Sequence, residues 1–197
     1  MATYIIIAII AYAIGSINFS VLISKKMAGF DVREKGSGNA GTTNMLRSVG
    51  KKAAVITLLC DILKGVVAIL IAVIAGILVV VGHTFPIFFE FKGGKGVATS
   101  LGVLMMINWK IGLICLVFAI AIMAFSRMVS MGSIGAAILF PVLTLFISTN
   151  FIVEASGIKY FIFSVILAAI VIFNHRENIK RIASGTENKL SFKNTNN

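Results

Sequence analysis

Charge is what this sequence has least of. Only 13% of its 197 residues are Asp, Glu, Lys or Arg, about half the share carried by a soluble domain. Hydrophobic residues reach 58% and the mean hydropathy is +1.01, so a water-facing surface cannot be assembled, and intrinsic disorder is excluded. Acidic residues are especially scarce, 7 against 18 Lys and Arg, leaving a net charge of +11. That balance alone would suit a nucleic-acid partner, but the basic residues lie between apolar runs, and no nucleic-acid partner is expected. Cysteine is nearly absent. Cys60 and Cys115 both lie inside apolar runs, which argues against a disulfide framework and against a metal site. A basic n-region is also missing, and the first apolar stretch runs straight into Lys25 and Lys26, so a removable signal peptide is not expected.

What the chain does have is long uncharged stretches. A bilayer core of about 30 Å takes about 20 helical residues. Residues 53–89 would make a helix of roughly 55 Å, too long for one crossing, and a break near Ala75-Gly76 divides them. Residues 96–126 divide at Asn108-Trp109-Lys110, because a single helix would strand Lys110 at the bilayer centre. The expected fold is all-α, a polytopic membrane helix bundle with about seven transmembrane helices over 3–24, 53–74, 77–90, 96–108, 111–127, 131–149 and 158–175, in a single domain over 1–197. Fifteen of the 18 basic residues then fall on one side, in 25–52, 91–95, 127–130 and 176–197. The positive-inside rule makes that side cytoplasmic, with the N-terminus outside and the C-terminus in the cytoplasm. The stretch 96–108 is short, roughly 20 Å, so five spans with re-entrant segments stand as the alternative.

Three polar elements share the expected cytoplasmic side. In the first, Lys35 to Arg47, Gly36, Gly38 and Gly41 free the backbone to turn N–H groups toward one point. Ser37, Asn39, Thr42, Thr43 and Asn44 add short donors, and Arg47 a charged fork. This suits a phosphate; a flexible interfacial loop would have the same composition, and Arg47 alone could anchor a lipid headgroup. The second, Phe91 to Thr99, places Lys92, Gly93, Gly94, Lys95 and Gly96 just before a helix, whose N-terminus attracts anions. It is not a Walker A loop, since Phe89 and Gly96 occupy positions that need Gly and Ser/Thr. The alternative is a basic positive-inside loop with glycines for packing. In the third, Asn174 to Ile182, a helix continuing the last span would project His175, Asn178 and Ile182 to one side with Ile179. A lone interfacial His serves more often as a structural hydrogen-bond partner than as a catalyst. Glu187 reads as a structural partner for a basic loop. Ser130 and Ser133 suit either a substrate bond or a helix cap. Asp61 and Lys64 are expected to pair with each other, and His83 to pack at a kink near Pro86.

In this order, these elements resemble the bacterial acyl-phosphate:glycerol-3-phosphate acyltransferase family of the inner membrane. The resemblance runs from Gly15-Ser16 to Lys189 and rests on GSGNAGTTNMLR at 36–47, DILKG at 61–65, GHTFP at 82–86, FKGGKGVAT at 91–99, and HRENIKR at 175–181 with Glu187. Glu90 stands where the family often has Gly, and Asn18 where some members have Pro. The resemblance implies transfer of a fatty acyl group from acyl phosphate to the 1-hydroxyl of glycerol 3-phosphate, without a cofactor, by a monomer in the lipid bilayer with its active site on the cytoplasmic face. It implies that Lys92, Lys95 and the backbone of Gly93, Gly94 and Gly96 bind glycerol 3-phosphate. Ser37, Asn39, Thr43 and Arg47 would hold phosphate and developing charge, while His175 and Asn178 orient the attacking hydroxyl. Acyl phosphate is already activated, so no covalent nucleophile is required. A transporter for a phosphorylated anion is the competing class. Against it, the motifs gather on one side, and Lys64, beside Asp61, is the one basic residue within a span away from its ends.

Overall fold

The computed structural model describes residues 2–72, 75–147 and 157–190. They form ten α-helices: α1 (Ala2–Ser16), α2 (Phe19–Ala28), α3 (Thr42–Ser48), α4 (Lys51–Ile71), α5 (Ala75–Thr84), α6 (Val97–Ile107), α7 (Trp109–Ser126), α8 (Val129–Phe146), α9 (Gly157–Asn174) and α10 (Arg176–Ala183). Short 3-10 turns lie at Val32–Glu34 and Ile87–Phe89. The all-α bundle has five helical stretches long and apolar enough to cross a membrane, the first being α1 and α2 together, while Ala75–Phe89 and Val97–Ile107 are shorter apolar helices. Leu59, Leu63, Leu70 and Phe146 face outward, and Phe125 is 91% exposed, an exterior that suits lipid.

The breaks have local causes. The division of 53–89, expected near Ala75-Gly76, comes earlier: the backbone turns extended at Ala72 after α4, and Ala75 and Gly76 already belong to α5. The division at 108 is marked by Asn108, whose side-chain oxygen accepts from the Ile111 N–H at 3.1 Å and caps α7. The last residues expected in the second and sixth spans, 73–74 and 148–149, and Lys193 lie outside the described residues. The first span, expected as one helix over 3–24, is instead interrupted at residues 17–18. Asn18 Oδ1 caps α2, accepting from the Val21 N–H at 3.4 Å and the Ser20 hydroxyl at 2.7 Å. The carbonyls freed at Gly15 and Ile17 accept from the Lys64 ammonium at 3.1 and 3.0 Å. A buried cation thus closes the end of α1.

Two helix crossings set the frame. A Cβ on Gly65 of α4 would meet the Thr99 carbonyl and Val103 of α6, and one on Gly102 of α6 would meet the Ile62 carbonyl of α4. Gly15 and Gly82 bring α1 and α5 together in the same reciprocal way. Such backbone-to-backbone approach is how helices associate where lipid removes the hydrophobic drive. Ala11, Val79, Val80, Val103, Ile107 and Ile111 fill the centre, and Phe140 meets Tyr160 edge to face at 6.0 Å. The α4–α6 crossing holds the N-terminal end of α6 beside the ends of α5, α8 and α9.

Candidate active site

The first polar element folds as a tight turn leading into α3. Gly36 and Gly38 adopt positive φ, 59° and 70°, and Asn44 organises what lies between. Its amide donates to the carbonyls of Val32 (2.8 Å) and Lys35 (3.0 Å), and its oxygen accepts from the Ser37 N–H (2.9 Å). Expected as a donor to phosphate, Asn44 is buried and bonded inward, fixing the loop instead. Ser37 and Arg47 are left exposed on this frame, with Asn39, Gly41 and Thr43 half-buried. Arg33 ties the loop to the second element through a bidentate pair with Asp31 and a 2.8 Å bond to the Phe89 carbonyl. That pairing holds the Asp31 carboxyl below its usual range, against the effect of burial.

In the second element, the glycines do something other than the sequence suggests. The Gly93 and Gly94 N–H groups, expected to point at phosphate, donate instead to the carbonyls of Thr84 and His83, both at 3.1 Å. Those are the last carbonyls of α5, so the loop closes one helix while opening the next. Glycine is needed for the approach: a Cβ at Gly94 would collide with the His83 ring and, at 2.6 Å, the Ala40 carbonyl. Gly96 caps α6 at φ 80°. The first bond within the next turn is from Ser100 N–H to the Gly96 carbonyl at 2.8 Å. The five consecutive N–H groups from Lys95 to Thr99 have no protein acceptor among the described residues. The free donors therefore lie one step later in the loop than expected. Lys92, expected at the same phosphate, stands at the rim in an exposed pair with Glu90 at 3.2 Å.

The third element packs against Lys95. The Lys95 ammonium donates to Asn178 Oδ1. Asn178 Nδ2 donates to Glu187 Oε1 at 2.7 Å, the Ser130 hydroxyl to the same oxygen at 2.7 Å, and Arg181 Nε to Oε2 at 2.9 Å. Glu187, with a side chain only 4% exposed, is thus the hub of the site, a larger role than pairing with a basic loop. Ser130, expected at the substrate or as a cap, is engaged there. Burial would raise the Glu187 pKa, but bonds from Ser130, Asn178 and Arg181 outweigh it and hold the carboxylate below its usual value. Burial, with the charges of Arg181 and Arg47 outweighing that of Glu187, pushes the Lys95 pKa down to about 8. Arg47 of the first element is therefore close enough for its charge to be felt at Lys95.

His175 sits at the junction between α9 and α10, not within one continuous helix. Its Nδ1 lies 2.7 Å from the Val171 carbonyl. A carbonyl can only accept, so Nδ1 carries the proton and Nε2 the lone pair. Burial, aided by the Lys95 charge, pushes its pKa down to about 4 despite that bond and Glu187. His175 and Asn178 are buried together as expected; Ile179, expected on the same face, is 40% exposed. The α9 end is fixed by Asn174, which donates to Thr84 Oγ1 at 3.1 Å and the Lys95 carbonyl at 3.4 Å. Sequence reasoning assigned no role to Arg181, Asn174 or Thr84; the unpaired acid Glu187 in a basic tail was the available signal.

An apolar groove of about 100 Å³ begins on the first turn of α6 at Val97 and Ser100, and passes Ala119, Ala137 and Val171 toward Cys115 and Phe140. The same helical turn therefore borders an anion-attracting N-terminus and a slot for hydrocarbon.

The glycerol-3-phosphate acyltransferase family model matches residues 5–185. The chain is 44% identical to a glycerol-3-phosphate acyltransferase of Thermoanaerobacter sp. (strain X514), over 96% of both chains, and 42% identical to one of Clostridioides difficile (strain 630), over 97% of both. Among solved structures, PlsY (YgiH), an integral membrane glycerol 3-phosphate acyltransferase, superposes in its glycerol 3-phosphate form with a TM-score of 0.86. Identity is 34%, covering 97% of this chain and 96% of that one. Its lysophosphatidic acid form gives a TM-score of 0.85 at 33% identity. The motifs, the fold and these likenesses agree: this chain belongs to the glycerol-3-phosphate acyltransferase family of integral membrane enzymes.

Proposed function

We propose that this protein transfers a fatty acyl group from acyl phosphate to the 1-hydroxyl of glycerol 3-phosphate, giving lysophosphatidic acid and inorganic phosphate, the first acylation of phospholipid synthesis. The observation that carries this reading is the first turn of α6, which follows directly on Lys95 and whose N–H groups, without a protein acceptor among the described residues, border the apolar groove at Val97 and Ser100. The free donors and Lys95 receive the phosphate of glycerol 3-phosphate, with Gly93, Gly94 and Gly96 shaping the loop and Lys92 adding field from the rim. Ser37, Asn39, Thr43 and Arg47 hold the acyl-phosphate end, and the groove takes its chain. The hydroxyl oxygen attacks the acyl carbon, the bond to the phosphate oxygen breaks, and positive charge from Arg47 and Lys95 stabilises the developing anion. The hydroxyl proton passes to the departing phosphate, and no acyl-enzyme forms. The neutral His175, with its lone pair on Nε2, and Asn178 orient the hydroxyl. Both are buried, Asn178 accepts from Lys95, and His175 is near enough to feel the Lys95 charge, which supports that role.

The apolar helices cross the inner membrane seven times in a single domain, with the N-terminus outside and the C-terminus and active site cytoplasmic. Fifteen of 18 basic residues on one side support this orientation. One chain supplies every group of the site, which supports a monomer.

The test is an assay of purified protein with acyl phosphate and labelled glycerol 3-phosphate, without acyl-CoA or acyl carrier protein. Equimolar lysophosphatidic acid and phosphate are expected. Substrate flux into proteoliposomes without acyl transfer would overturn the reading. Filling the groove with Ala137→Phe should raise KM for a long-chain acyl phosphate about tenfold and leave KM for glycerol 3-phosphate unchanged.

A further inference from the structure

The buried imidazole at the end of α5 lies outside the chemistry above. His83, the penultimate residue of α5, is 5% exposed. Its Nδ1 lies 3.4 Å from Asp61 Oδ1 on α4, and the same carboxylate oxygen lies 3.0 Å from the Lys64 ammonium. Lys64 in turn holds the two carbonyls at the break between α1 and α2. On its other edge, the imidazole presses Nε2 and Cε1 against Gly94, which is wedged between this ring and the Ala40 carbonyl of the first motif. The His83 and Thr84 carbonyls receive the N–H groups of Gly94 and Gly93. Pro86 lies beyond the end of α5, so His83 does not serve a kink, the role its neighbourhood to Pro86 suggests from sequence.

We propose that His83, held by Asp61, is a positioning residue that sets where the 93–96 loop presents the N-terminus of α6 to a substrate phosphate. The ring acts as a stop for Gly94. Asp61 fixes the angle of the ring, and Lys64 keeps Asp61 facing it. The inference rests on the reading that this loop binds a substrate phosphate. Nothing in it requires His83 to touch substrate or exchange a proton. A small rotation of the ring displaces Gly94, and the donors of Lys95 and Gly96 move with it.

The two edges of the ring can be tested separately, because a glutamine amide reaches the position of Nε2 and an asparagine amide that of Nδ1. Steady-state kinetics with both substrates, with thermal midpoints, would be measured for His83→Gln, His83→Asn, Asp61→Asn and Gly94→Ala. His83→Gln, which keeps the stop at Gly94 but gives up the contact with Asp61, should raise KM less than His83→Asn does. His83→Asn and Asp61→Asn should raise KM for one substrate at least about tenfold, with kcat within about threefold. That substrate should be the one whose KM rises in Gly94→Ala. If this is acyl phosphate and not glycerol 3-phosphate, the assignment of the loop falls while the positioning role stands. The proposal is overturned if Asp61→Asn and His83→Asn lower the midpoint with both KM values unchanged. It is equally overturned if kcat collapses at constant KM, or if His83→Gln is as impaired as His83→Asn.

Discussion

Lys95 is a lysine placed where its charge is hard to keep, half-buried and within reach of the charges of Arg181 and Arg47, with Glu187 as partial compensation. A pKa near 8 means that the ammonium is present below that pH and lost above it. Substrate phosphate opposes the loss, so the effect belongs to the free enzyme and appears in kcat/KM. That quantity should fall above about pH 8, by roughly tenfold per unit once Lys95 is neutral. Lys95→Arg retains charge at all accessible pH and should shift the falling limb upward by more than a unit, even at reduced activity. His175, with a pKa near 4, stays neutral throughout this range, so no limb near pH 6.5 should come from it. At this scale the sequence was partly legible. A cation beside glycines singles out Arg47 and Lys95 in the sequence, and the fold brings them close enough for the Arg47 charge to be felt at Lys95. The sequence could not say that the Gly93 and Gly94 N–H groups face the α5 carbonyls, or that Asn44 turns inward, since both depend on contacts made only after folding.

The helices are placed by crossings in which backbone meets backbone. Gly65 and Gly102 let α4 and α6 touch, and α6 opens with N–H groups that have no protein acceptor among the described residues. An added methyl at Gly102 must push against the Ile62 carbonyl, which cannot move without its helix. Gly102→Ala should therefore cost about 1–3 kcal/mol and lower the thermal midpoint measured in detergent. A midpoint equal to wild type would show the crossing to be looser than described. Helix ends were legible where length and charge force them, at Asn108 and, to within a turn, between α4 and α5, where Ala72 and not Ala75-Gly76 ends the helix. The interruption of the first span was less so. Asn18 is a cap signal, yet a run of apolar residues on both sides conceals it. The break is stabilised by Lys64, more than forty residues away, whose side chain closes the carbonyls that Asn18 leaves open.

The molecule as a whole separates charge from oil. On the proposed seven-span topology fifteen of the 18 basic residues share one side, and the charges of Arg47, Arg181 and Glu187 are all felt at Lys95. We propose that the arrangement serves orientation and substrate together. Single cysteines in a background lacking Cys60 and Cys115 would test the seven-span account. Lys110→Cys should react with an impermeant maleimide from outside the cell, and Lys92→Cys only after permeabilisation. Labelling of both from one side would favour five spans. The most direct test of the central claim, that the opening of α6 with Lys95 is the electrostatic core of acyl transfer, is kcat/KM of purified Lys95→Ala with acyl phosphate and glycerol 3-phosphate. The account predicts a loss of about 100-fold or more, equivalent to about 3 kcal/mol of transition-state stabilisation. A folded variant within threefold of wild type would contradict it.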